Sequence, residues 1–141
     1  MTKAKMVLKG VLILLLLGAV FRLGIYEFFR EYMAKARESE AKTQLSSFYT
    51  AEQAFYAEFK EYSADHAKIG YSPEGQLRGK FYYSLDQVPV EIASKLPSEA
   101  KPYFEKDAYR VLCLMAYDET LVAFTIDHNK VLQRFDLSQA K

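Results

Sequence analysis

The hydrophobic pattern opens on an unbroken apolar run. Val11 to Phe21 holds eleven residues with no polar side chain. Alone it falls short of the roughly 20 residues that cross about 30 Å of hydrocarbon. The wider window from Met6 to Phe29 is long enough, and its only charged residues are Lys9, Arg22 and Glu27. Lys9 and Arg22 stand near the two ends of the run, where long stems can reach an interface. Tyr26, Phe28 and Phe29 follow as an aromatic belt would. The segment is therefore read as a transmembrane helix, with Val11, Leu12, Ile13, Leu14, Leu15, Leu16, Leu17, Val20 and Phe21 as the membrane anchor. A cleaved signal peptide and a buried core helix are the competing readings. The first lacks a small-x-small cleavage site, and the second sits poorly with four consecutive leucines between charged ends.

The pattern then changes period without a break. Neither proline nor glycine occurs between Ile25 and Lys68, and Ala, Glu, Lys, Gln and Arg, all strong helix formers, are abundant. Leu45, Phe48, Ala51, Phe55 and Phe59 recur at helical spacing and make one apolar face. One helix is expected from about Val7 to Glu61, its first half in lipid and its second half packed on a globular head. Glu38 and Lys42 form a favourable i,i+4 pair.

Beyond Tyr62 the period turns to strands. Ser72-Pro73-Glu74-Gly75 is a turn signal, and Lys80–Leu85 suits a strand. Pro89, Pro97 and Pro102 punctuate a loop with a short helix near Glu91–Lys95. Tyr109–Tyr117, Leu121–Ile126 and Val131–Phe135 read as strands joined by turns at Asp118–Glu119 and at 127–130. The expected fold is α+β: a long N-terminal helix, transmembrane then amphipathic, packed on a small antiparallel sheet of three or four strands. Leu45, Phe48, Phe55 and Phe59 carry the helix–sheet packing and cover one sheet face. The domain division is 1–29 for the transmembrane half and 30–141 for the head.

Charge sharpens this picture. Residues 1–22 carry Lys3, Lys5, Lys9 and Arg22 and no acid, whereas residues 31–141 hold 14 basic and 17 acidic residues. A basic N-terminal end favours a cytoplasmic N-terminus and an exported head. A mildly acidic body argues against nucleic acid as a partner. The lone Cys113 excludes an internal disulfide. With His66 and His128 it matches no metal-ligand spacing, and the turn acids Asp118, Glu119 and Asp127 lack the oxygen run of a calcium loop. No nucleophile motif or phosphate loop occurs. Catalytic, metal and cofactor-binding residues are all read as none, and enzyme activity is not expected. Tyr49, Tyr56, Phe81, Tyr82 and Tyr83 are read as core and cross-strand aromatics rather than a ligand platform.

Four stretches taken in order resemble type IV pilins and pseudopilins. They are Phe29-x-x-Tyr32 through Ser39-Glu40-Ala41-Lys42, Phe48 through Glu58, Ile69 through Gly75, and Phe124 through Leu132. The resemblance implies a structural pilin-like subunit, or a type IV pilus or secretion-associated protein, that works by helix packing and assembly. It implies a single pass through a bacterial inner membrane with a periplasmic head, or a place in a cell-surface filament. Implied partners are membrane lipid, other pilin-like subunits or inner-membrane assembly proteins, and a homo-oligomer. The alternative is a non-polymerising, membrane-anchored periplasmic binding module. Aligned on Ser39-Glu40-Ala41, the family's Gly-Phe processing junction falls at Lys5–Met6 and its early glutamate at Gly10. Its mid-helix proline falls near Glu27.

Overall fold

The computed structural model describes residues 2–73, 78–117 and 120–138, with side chains from residue 5 onward. The expected turns at Glu74–Gly75 and Asp118–Glu119 lie outside the described residues. The chain forms two compact units, Met1–Ala36 and Arg37–Lys141. One helix, α1 (Thr2–Phe59), runs through both. It ends where Lys60 adopts the left-handed conformation at φ 58°, with its N–H donating to the Tyr56 carbonyl at 2.9 Å. A single residue in that conformation is a common way to close a helix.

The second unit is a sheet with the C-terminal part of α1 on it. The strands are β1 (Lys80–Tyr82), β2 (Tyr103–Phe104), β3 (Tyr109–Tyr117), β4 (Thr120–Asp127) and β5 (Leu132–Asp136), and a short helix α2 spans Val90–Ala93. All strand pairs are antiparallel, in the order β1-β3-β4-β5. β2 was not expected, because Pro97 and Pro102 mark its approach as loop. It pairs with β3 through Tyr103↔Arg110 and Phe104↔Tyr109, while β1 pairs with residues 112–114 of the same strand. The two short strands thus lie end to end along one edge of β3, where a preceding proline costs no ladder bond. β1 is also shorter than expected. After Tyr82 the chain turns away, and the Tyr83 N–H donates to the Gln87 side chain at 3.0 Å. The helix–sheet α+β architecture and the antiparallel meander are as the pattern indicates.

Both faces of the sheet are buried. Tyr109, Val111, Cys113 and Met115 on β3, with Val122, Phe124 and Ile126 on β4, pack with Ala41, Leu45 and Phe48 of α1. Leu112, Leu114 and Ala123 point the other way, against Tyr82, Val88, Leu96, Ala100 and Leu137. The segment between β1 and β2 therefore covers the second face. This explains why β3 reads as a continuous apolar run instead of alternating. Tyr82 is buried in the second cluster, while Tyr49, Phe81 and Tyr83 pack at the margin of the first.

The helix face differs in its outer half from the expected stripe. The buried positions are Ala41, Leu45, Phe48 and Glu52, spaced 4, 3 and 4. Phe55 is partly buried against the core. Phe59, two turns beyond Glu52, is 54% exposed and its ring lies tilted against that of Phe55 with centroids 4.5 Å apart. By helical period it faces the same way as Leu45, but it has run past its cover.

Two substitution pairs test this packing. Phe48→Ala should cost about 3–5 kcal/mol in denaturant unfolding. Phe59→Ala should cost well under about 1 kcal/mol, as exposed changes do. At Gly79, an added Cβ would lie 2.4 Å from Cys113 Sγ and 3.3 Å from Met115 Cγ. Gly79→Ala should therefore cost about 1–3 kcal/mol through overpacking. A Cys113→Ala background should remove more than half of that cost, read as a double-mutant cycle.

Candidate functional site: an exposed apolar helix and the buried acid of the head

In the first unit, α1 presents apolar side chains on every side. The nine anchor residues from Val11 to Phe21 are each between 50% and 71% exposed. Leu23, Ile25, Tyr26, Phe28, Phe29 and Tyr32 extend the surface and are also exposed. Among the described residues this is one helix long and apolar enough to cross a membrane, by length and composition. Glu27 and Arg30 approach to 3.8 Å on its surface. An apolar surface of this extent has no stable place in water and calls for lipid or packed helices.

In the second unit, α1 is tied to the sheet by polar groups as well as by its stripe. Glu38 accepts from Tyr117 Oη at 2.7 Å and from Arg134 Nη2 and Nε at 3.0 and 3.2 Å. Burial alone would raise the Glu38 carboxyl, but these donors and the nearby Lys42 outweigh it and hold it below the usual range. That contribution is present above the ordinary glutamate range and is lost as pH falls through it. The Lys42 ammonium itself stands over the Phe124 ring, 5.8 Å from its centroid.

Glu52 lies deeper. It is fully buried, and the sequence pattern passed over it because a charged residue does not count towards an apolar stripe. Its spacing from Leu45 and Phe48 was the available signal. Oε2 accepts from the Ser63 backbone N–H at 3.2 Å, while Oε1 has no partner. The Tyr109 hydroxyl is buried and unpartnered too. Burial pushes the Glu52 carboxyl up to about 7 against the opposing Ser63 bond. Aromatic rings surround the place: Phe48 meets Tyr71 and Tyr109 edge-on at 5.5 and 5.8 Å, and Tyr62 meets Tyr109 at 4.8 Å.

The residues weighed for metal chemistry are held by other contacts. His66 bonds to the Tyr83 hydroxyl, and His128 lies in the β4–β5 turn over the Tyr109 carbonyl. Cys113 is a buried thiol pushed up to about 12 by burial, so it behaves as a small hydrophobe. Asp127 Oδ1 accepts the backbone N–H groups of Asn129 and Val131 at 2.9 and 3.0 Å, which shapes the turn. Among the described residues no group of three or more metal-capable side chains comes together. On the helix's open side, Thr43, Ser47, Thr50, Ala54, Ile69 and Tyr71 help line a groove of about 450 Å³.

An α+β unit of this topology with a long N-terminal helix is a pilin-like arrangement. The type IV major pilin protein PilA of Myxococcus xanthus (strain DK1622) is 27% identical over 112 residues, covering 77% of this chain and 50% of that protein. The chain thus spans about half the length of this curated relative. No family model matches the chain, and no solved structure matches it.

Glu52 makes a pH prediction whose sign can be worked out. Its folded value near 7 lies above the ordinary 4.5, so the folded state holds the extra proton between those values. Its contribution is full below about pH 4.5 and is lost as pH rises through 7, a change on the order of 3 kcal/mol. His66 is held below its ordinary value by burial and acts with the opposite sign over the same range. The measurement is therefore a difference. Unfolding of the full chain in detergent at pH 5 and pH 8 should show Glu52→Gln gaining stability relative to wild type at pH 8 only.

Proposed function

We propose that this chain is a membrane-anchored structural subunit of pilin type, acting by helix packing and assembly. In this reading residues 1–29 span a bacterial inner membrane, and Val11, Leu12, Ile13, Leu14, Leu15, Leu16, Leu17, Val20 and Phe21 hold it there. Residues 30–141 form the head on the periplasmic side, opposite the basic N-terminal end. Its partners would be lipid and then other pilin-like subunits or inner-membrane assembly proteins. The single supporting observation is the apolar helix surface bare on all sides, alongside the likeness to a major pilin. The role is structural, not enzymatic.

A second reading has one observation in its favour. Lys5–Met6 and Gly10 stand where the pilin resemblance places the processing junction and an early glutamate. A non-polymerising anchored module would need neither residue. Mass spectrometry of the N-terminus and recovery in a sheared filament fraction separate the two. A processed N-terminus and presence in filaments support the subunit. An intact Met1, with the protein confined to the membrane as a monomer, supports the module.

Anchoring itself is tested by alkaline washing of membranes. The full chain should stay in the pellet. Leu14→Arg with Leu15→Arg, each costing about 2.5–3.5 kcal/mol at a helix centre, should shift it to the supernatant. Equal release of both proteins would remove the anchor from the proposal.

A further inference from the structure

Two charges stand inside the apolar surface of the first unit. Val20, Phe21, Leu23 and Ile25 flank Arg22, and Ile25, Tyr26, Phe28 and Phe29 flank Glu27, all exposed. Among the described residues the Arg22 guanidinium has no ion-pair partner. Glu27 approaches Arg30 on its own helix only to 3.8 Å, and its side chain is 68% exposed. A charge on a surface of this kind is costly in lipid unless a partner of opposite sign comes to it.

The helix sets where that partner can come from. A helix turns about 100° per residue, so five residues put Arg22 and Glu27 about 140° apart. They face nearly opposite sides, and one helix cannot join them. Each has a glycine one turn before it on its own side, Gly18 for Arg22 and Gly24 for Glu27. Both glycines have open space where a Cβ would stand, which lets another backbone approach closely. Beside Arg22, Phe21, Ile25, Tyr26 and Phe29 frame a groove of about 400 Å³.

Opposite signs on opposite faces make this helix complementary to a parallel copy of itself. A two-fold pair of parallel helices would bring like charges together. A head-to-tail pair, shifted by five residues or about 7.5 Å, brings unlike charges level. A lipid phosphate would answer Arg22 but repel Glu27, whereas a second copy answers both.

We propose that Arg22 of one copy pairs with Glu27 of a second, parallel copy within the membrane and so sets a five-residue stagger between neighbouring helices. This rests on the assembly reading above and names its contact. The same stagger brings Gly18 of the first copy within one residue of the level of Gly24 of the second. Both lie on the same side of the contact, so the backbones close there while the charges meet beside them. Each charge then offsets the desolvation of the other, and removing either leaves its partner bare. The first copy's Glu27 and the second copy's Arg22 stay open, so the contact can repeat from copy to copy.

The test is disulfide formation in phosphatidylcholine vesicles between full chains carrying Cys113→Ala with Gly18→Cys or Gly24→Cys. The stagger puts positions 18 and 24 of neighbouring copies within disulfide reach and like positions outside it. An equimolar mixture should cross-link at least tenfold faster than either variant alone. Arg22→Glu or Glu27→Arg in both chains should slow this at least fivefold, and the two reversals together should restore it. Arg22→Gln and Glu27→Gln serve should a reversed charge prevent insertion, and each should slow the reaction at least threefold. Association itself is read separately with an amine-reactive cross-linker. Chains that associate but cross-link equally at like positions, ignore the charge changes or are not restored by the double reversal would overturn the stagger and leave assembly standing. Chains that stay monomeric to the amine reagent would overturn both.

Discussion

Phe48 touches nearly everything that makes the head one body. From the last third of α1 its ring reaches Tyr71, Tyr109 of β3, Tyr83 after β1 and His66. Around it Ala41 and Leu45 press on Val111, Cys113 and Met115 of β3 and on Val122, Phe124 and Ile126 of β4. A sheet of short strands needs a helix on its face to be stable, and here the helix arrives already formed. The nearly uniform helix formers before it see to that. The remaining features follow from this seating. The chain after Lys60 is bonded back to the helix, Ser63 to Glu52 and Tyr71 to Gln44, and the segment between β1 and β2 closes the opposite sheet face.

The same seating explains why an acid is buried. Glu52 takes the next position after Ala41, Leu45 and Phe48 on the buried line, with Tyr83 and Tyr109 close by. The carboxyl holds the first turn of the returning chain through Ser63, a fastening an alanine could not provide. Its cost is a group that folds comfortably only when neutral. Nearer the start of the second unit, Glu38 solves the opposite problem. Partly exposed, and provided with Tyr117 and Arg134 as donors, it remains an anion that ties the helix to β3 and β5.

The two units do different kinds of work with the same helix. In the second, one side of α1 is apolar and the other bears Thr43, Ser46, Ser47 and Thr50, as a helix half in water requires. In the first, large apolar side chains from Met6 to Phe29 are exposed all round, interrupted by Lys9, Arg22 and Glu27. Such a division suits a pilin-like chain, in which one segment would meet lipid or other subunits while the head presents a folded surface.

Much of this was legible in the sequence, because period and run length report directly on local structure. The unbroken apolar run, the absence of proline and glycine from 25 to 68, and the short β-capable runs separated by turn signals indicated the helix, the main strands and their antiparallel class. Other features depended on which residues meet across the fold. β2 is two residues long and exists only because β3 offers an edge beside β1. The burial of the second sheet face follows from where residues 85–100 return, which no local pattern states. Phe59 has the right period but lacks cover, and Glu52 has the wrong polarity but full cover. Period says which way a side chain points. Only the tertiary structure decides what stands there to meet it.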